Sequence, residues 1–184
     1  NVKELIVLAR ARPGEISWSC GGSPSQLAAE LFKKTAGINV IVVPYKGNAP
    51  AVTAVISGEV SLSFGNVAQS VPQVKGGRLK AIAIGGQKRS LVMPDVPTVA
   101  ESGIARFENT GWFGLLGPAG LPRPIVDKIY QDTVRAMSDS QIKGRLYVAG
   151  MKPVLNKPEE LALQMDAELK RWAIVVKNRK IKAS

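Results

Sequence analysis

Histidine is absent from these 184 residues, and cysteine occurs once, at Cys20. The first absence removes the commonest general base and the commonest metal ligand. The second excludes an internal disulfide and a cysteine-cluster metal site. Aromatic residues are sparse, with three Tyr, four Phe and three Trp, and none alternates with basic residues as a base-stacking platform requires. No apolar run approaches the roughly 20 residues of a membrane-spanning helix. Acidic residues are in the minority, 14 Asp and Glu against 25 Lys and Arg, for a formal charge of +11. That excess permits binding to nucleic acid or to any anion. The basic residues are scattered, however, and only Lys177, Arg179, Lys180 and Lys182 cluster, as a solvated helix end does. The chain opens on Asn1 without an initiator Met or a basic-then-apolar leader. This is expected of a processed chain or of a piece of a longer one.

What is present is a globular composition, 45% hydrophobic and 21% charged. Ile16–Ser19 reads as a short strand and Cys20–Ser25 as a small-residue loop. Ser25–Ala36 reads as a helix with Leu27, Ala28, Leu31 and Phe32 on one face. Ile38–Val43 is a β-branched run of the kind buried on both faces of a sheet. Pro44–Asn48 is a loop, Ala49–Ser57 a helix ended by Gly58, Val60–Phe64 a third strand, Val67–Lys75 a helix and Leu79–Ile84 a fourth strand. Strand and helix in alternation predict a doubly wound parallel α/β sheet. Beyond Gly85 the texture changes. Met93–Thr98 is a proline-punctuated turn before a short helix at Val99–Ser102, Thr110–Leu116 an apolar strand, and Pro118–Pro124 a connector. Helices follow at Ile125–Met137, Asp139–Val148 and from Pro158 to about Asn178. The last carries an apolar stripe of Leu161, Met165, Leu169, Trp172 and Val176. So many helices beside so few strands read as the outer layer of a sheet whose other strands are elsewhere.

Three loops fall at strand ends, where ligands sit in open α/β sheets. In Ser19–Ser25, Gly21 and Gly22 let backbone approach a ligand at a helix start, and Ser23 and Ser25 add hydroxyls. Helix capping by Ser23 or Ser25 accounts for the serines but not for two adjacent glycines. In Pro44–Asn48, Tyr45 offers a ring and a hydroxyl and Gly47 a backbone N–H, while a plain turn with exposed Lys46 is the competing reading. Asn66, after Gly65, is a third rim position that by itself signals only a turn. Cys20 at a helix start resembles an activated nucleophile, but without histidine its usual base is missing, and a structural thiol fits better. The carboxylates Glu159, Glu160, Asp166 and Glu168 lie on a predicted solvent-facing helix. No catalytic residue, metal site or cofactor is expected.

A long series of short matches runs through the chain. It includes Leu27–Phe32 (LAAELF), Val43–Gly47 (VPYKG), Gly58-Glu59-Val60, Gly77-Arg78-Leu79, Asp95–Thr98 (DVPT) with Glu101 and Gly103, and Trp112. Pro118-Ala119-Gly120, Arg145-Leu146, Gly150, Pro158-Glu159-Glu160 and Trp172 continue it. In this order the segments resemble the substrate-binding proteins of tripartite tricarboxylate transporters, the Bug receptors. The resemblance implies a periplasmic receptor of the type II periplasmic-binding-protein kind, two α/β lobes that close on a small carboxylate, with membrane transporter subunits or a sensor kinase as partners. It further implies a linking helix at 1–12, a ligand-binding lobe at 13–109, and at 110–184 the returning strand and helices of an incomplete first lobe. The family's ligand loops fall on Gly21, Gly22 and Ser23, on Tyr45, Lys46 and Gly47, and on Asn66. The first loop departs from the family pattern, being one residue shorter, with Gln26 where the family commonly has His.

The expected activity is therefore recognition without turnover. Three alternatives stand beside it: an enzyme acting through Cys20 or a lysine, non-specific polyanion binding, and a truncated, self-associating lobe with little ligand binding of its own. The last predicts a homodimer through exposed C-terminal helices. Nucleic acid is not an expected partner.

Overall fold

The computed structural model describes residues 1–105 and 107–179. They divide into two compact units, Asn1–Gly111 with the C-terminal end from Val175, and Trp112–Ile174.

In the first unit, α1 (Val2–Ala11) begins with a reciprocal cap: Glu4 N–H donates to the Asn1 side chain, and the Glu4 carboxylate accepts from the chain's first residue. β1 (Ser17–Cys20), α2 (Ser23–Ala36), β2 (Ile41–Pro44), α3 (Asn48–Ile56), β3 (Leu62–Ser63) and α4 (Val67–Lys75) follow. The strands form one parallel sheet in the order β2-β1-β3, with Cys20 beside Pro44 and Ser19 beside Ser63. Alternation along β1 sends Trp18 and Cys20 to one face and Ser17 and Ser19 to the other. Phe32 of α2 meets Trp18 at 5.3 Å between ring centroids, and the Ser19 hydroxyl donates to Ala51 O in α3 at 2.9 Å. Helices thus cover both faces, and the doubly wound expectation holds.

The core lies on the Trp18 face. Trp18 stacks on Phe64 at 4.9 Å and Phe64 on Phe107 at 5.6 Å, with Phe32 edge-on to Phe107 at 5.7 Å. Offset and edge-on pairs of this kind add about 0.5–1.5 kcal/mol each to the area they bury. Val2 and Ala9 of α1, Ile38, Val40, Val99 and Ile104 close the cluster.

Several expectations need correction. The run Ile38–Val43 is not a strand buried on both faces: β2 is an edge of this sheet, with Ile41 52% exposed. The central, buried strand is instead the less apolar Ser17–Cys20, because position in the sheet sets burial and side-chain type does not. Leu79–Ile84 forms no strand; only Ile84 pairs, in a single parallel bridge to Thr98. Val99–Ser102 is a turn and not a helix. It is held by a reciprocal pair, Glu101 N–H to Thr98 Oγ1 at 3.0 Å and Thr98 N–H to the Glu101 carboxylate at 2.7 Å. Ser25–Ala36 starts two residues earlier than expected, at Ser23, since the glycines end at 22.

In the second unit, α5 (Arg123–Ser138), α6 (Ser140–Val148) and α7 (Pro158–Arg179, whose end passes into the first unit) are joined by short loops. Asp139 caps α6 by accepting from Gln141 and Ile142 N–H. The stretch Thr110–Leu116, expected as a strand, is irregular chain without a ladder. A strand needs a neighbour to hydrogen-bond to, and none of the described residues supplies one. Lys177 is exposed near the end of α7; Lys180 and Lys182 of the basic tail lie outside the described residues.

Candidate functional site

Because the three strands are parallel, their carboxyl ends share one rim, and α2, α3 and α4 all start from it. The first loop is only Gly21-Gly22. Gly22 is the N-cap of α2 with φ 152°, and no side chain caps the helix. Neither serine does what capping requires: Ser25 donates its hydroxyl to Gly22 O at 2.9 Å, and Ser23 is exposed as the first helical residue. The glycine pair therefore leaves the first amides of α2 without side-chain acceptors.

The second loop is fastened to the first. Tyr45 N–H donates to Cys20 O at 2.8 Å, and Gly47 N–H turns back onto Tyr45 O at 2.9 Å. Gly47, at φ 108°, is the N-cap of α3, which also lacks a side-chain cap and an acidic residue in its first turn. A methyl group at Gly21 would sit 2.5 Å from Cα, N and Oδ1 of Asn48. Gly21 is thus the contact point of the two loops, and α2 and α3 open side by side. Two helix starts without side-chain caps therefore lie at one rim, each with the partial positive charge of its first amides.

Other expected site residues take different roles. The Tyr45 hydroxyl donates to Glu59 at 2.7 Å, so its ring and not its oxygen is available, and this bond raises the phenol's pKa above the ordinary value. Lys46 is exposed beside the loop. Asn66 stands at the same rim, but its Oδ1 accepts from Ala68 N–H at 3.0 Å and caps α4. Asn48, at the start of α3, was not among the expected site residues. The only signal in the sequence was a glycine pair facing a second helix start, and that contact spans 27 positions from Gly21 to Asn48. Cys20 is buried just below the rim, and burial pushes its thiol up to about 11, with a smaller opposing effect from the Ser25 hydrogen bond. It is a protonated, structural thiol at neutral pH. Among the described residues no cluster of acidic, cysteine or histidine side chains could hold a metal ion, and no helix is long and apolar enough to cross a membrane.

A parallel sheet wound on both faces, with glycine-opened helix starts on one rim, is the architecture of periplasmic solute-binding proteins, and the solved structures similar to this chain are of that kind. The protein solved as R. palustris Rpa4515 with adipate matches over 100% of this chain and 62% of its own, at 31% identity and a TM-score of 0.90. MatC from Rhodopseudomonas palustris, solved with bound malate, matches 96% of this chain and 62% of its own, at 30% identity and a TM-score of 0.82. The curated relatives include BugT of Bordetella pertussis, 31% identical across 96% of this chain and 55% of that protein. A protein from Agrobacterium vitis, in the TAR-I ttuE-ttuC' intergenic region, is 33% identical across 94% of this chain and 51% of its own length. The chain spans about half the length of these curated relatives. The family described as the tripartite tricarboxylate transporter family receptor matches residues 1–181, and the chain belongs to it.

Proposed function

We propose that this chain is the ligand-gripping part of a periplasmic receptor for small carboxylates, serving a tripartite uptake system or a sensor, and that it binds without turnover. The observation that carries this reading is the pair of uncapped helix starts, α2 behind Gly22 and α3 behind Gly47, locked together at Gly21 and Asn48. Backbone N–H groups aimed at one point recognise a carboxylate through charge-assisted hydrogen bonds. Family membership supports the same reading, as do the adipate and malate named for two solved relatives. The lack of histidine and the buried, protonated Cys20 leave no obvious nucleophile–base pair at this rim.

The rim described here is open to solvent and forms one wall of a site. Losing three contacts from an opposing wall removes roughly 2–4 kcal/mol at about 0.5–1.5 kcal/mol each. That weakens a micromolar ligand about thirty- to a thousandfold. NMR titration of the 184-residue chain with adipate and with malate tests the reading. Millimolar ligand is expected to shift the amides of Gly21–Ser23 and Tyr45–Asn48 and few others. Unchanged amides in both loops, with the protein folded, would reject it.

A further inference from the structure

The start of α3 is lightly held. Gly47 supplies no side-chain cap, and Ala51 N–H reaches Gly47 O at 3.4 Å, longer than an ordinary bond of this kind. Pro50, in the first turn, has no N–H to contribute. The far end of the helix is better fastened. Ser57 N–H donates to Thr53 O at 2.9 Å, and the buried Val60 donates its N–H to Ala54 O at 3.2 Å. Gly58, at φ 78°, makes the turn between them in a conformation that favours glycine. Glu59 therefore stands on a fixed base while its side chain stays exposed.

One tyrosine spans the two ends. Tyr45 precedes the N-cap of α3 by two positions and Glu59 follows its last residue by three, with nine helical residues between them that rise about 14 Å. The Tyr45 hydroxyl nevertheless donates to the Glu59 carboxylate at 2.7 Å, a short charge-assisted bond. At the rim, Tyr45 N–H donates to Cys20 O at 2.8 Å and Tyr45 O accepts from Gly47 N–H at 2.9 Å. The same residue is thus bonded to the first rim loop, to the N-cap of α3 and to the far side of that helix.

We propose that Glu59 is a positioning residue for the rim: by holding the Tyr45 hydroxyl it fixes the start of α3, and so sets how tightly the rim grips a carboxylate that it never touches. The proposal rests on carboxylate binding at the rim.

Titration of the 184-residue chain with adipate, followed by NMR at the Gly21 and Gly22 amides, is the test. Glu59→Ala is expected to weaken binding about three- to tenfold, the worth of one hydrogen bond, and to move the Gly47 and Asn48 amides of the free chain. Glu59→Gln still accepts from the hydroxyl and is expected to bind within about twofold of wild type. Tyr45→Phe should match Glu59→Ala, and the double variant should lose no more than either alone. In Glu59→Ala the Tyr45 phenol, raised chiefly by its bond to Glu59, is expected to fall toward its ordinary value of 10.0, read from its ring carbons. A wild-type chain whose two loops ignore adipate overturns the carboxylate reading and the proposal with it. Wild-type binding that Glu59→Ala leaves unchanged, a Glu59→Gln variant as weak as Glu59→Ala, or single losses that add in the double variant overturn the proposal alone.

Discussion

Gly21→Ala tests whether the two rim loops are one device. The added methyl would lie 2.5 Å from Asn48 Cα, N and Oδ1, about 1 Å inside ordinary contact between packed atoms. Two of those three atoms are backbone, so rotation of the Asn48 side chain cannot relieve the clash, and the start of α3 must move. Overpacking of this kind costs about 1–3 kcal/mol. At about 2–4 °C per kcal/mol for a chain of this length, the melting temperature falls by roughly 2–12 °C. The same displacement carries the first amides of α3 away from those of α2. Loss of one charge-assisted bond, about 1.5–3 kcal/mol, weakens adipate binding at least tenfold. Thermal melts by circular dichroism and an NMR titration read the two effects together. Gly111→Ala is the control: a methyl there meets nothing within 4 Å, so it leaves both quantities near wild type. Asn48→Gly in the Gly21→Ala background removes only the Oδ1 contact and is expected not to rescue. Wild-type melting and titration for Gly21→Ala, or full rescue by Asn48→Gly, would refute the coupling of the loops.

Gly144 lies inside α6 with open space where a methyl would go, so Gly144→Ala should stabilise the helix by about 0.8–1.0 kcal/mol, read as a shift in urea midpoint. Cys20, with its thiol raised to about 11 by burial, should resist iodoacetamide at pH 8 in the folded chain and react on unfolding. Its raised value contributes stability that is complete below the unfolded thiol's pKa and is lost as pH climbs through about 11. The Glu101 carboxylate is held below its ordinary value of 4.5, first by the Thr98 N–H and then by Arg89. Its stabilisation is therefore present above the unfolded value and disappears as pH falls below it. Glu101→Gln should flatten that acid limb of the stability profile, and an unchanged limb would show that other carboxylates set it.

The helices were legible because their signals are local. Val67–Lys75 follows from Asn66 and Gly76 at its ends, and the start of α7 from Pro158, Glu159 and Glu160. The rim loops were legible for a related reason: a glycine pair before a helix has few purposes besides close backbone approach. What could not be read were quantities fixed between distant segments. Nothing in Ser17–Cys20 announces a central strand, since its burial comes from β2 on one side, β3 on the other and the Ser19 hydroxyl's bonds to the Ala51 and Leu62 carbonyls. Nor does Leu79–Ile84 announce that only Ile84 finds a partner.

The family motifs fall on both sides of this divide. The stretch Asp95–Thr98 with Glu101 is among the clearest matches, and in the fold it is a reciprocal Thr98–Glu101 cap with Arg89 bound to the same carboxylate. That motif marks a turn packed on the core through Val99. Tyr45 and Gly47 belong to an equally clear match, yet the tyrosine hydroxyl serves Glu59, and the rim is shaped by the Tyr45 backbone and by Gly47. If recognition rests on main-chain N–H groups at Gly22 and Gly47, side chains carry little of the ligand's identity. Selectivity between a four-carbon and a six-carbon diacid would then be set by the distance from this rim to the opposing wall. Substitution within these two loops should accordingly change affinity for adipate and malate in parallel, and a variant here that inverted their order would show that side chains at this rim do read the ligand.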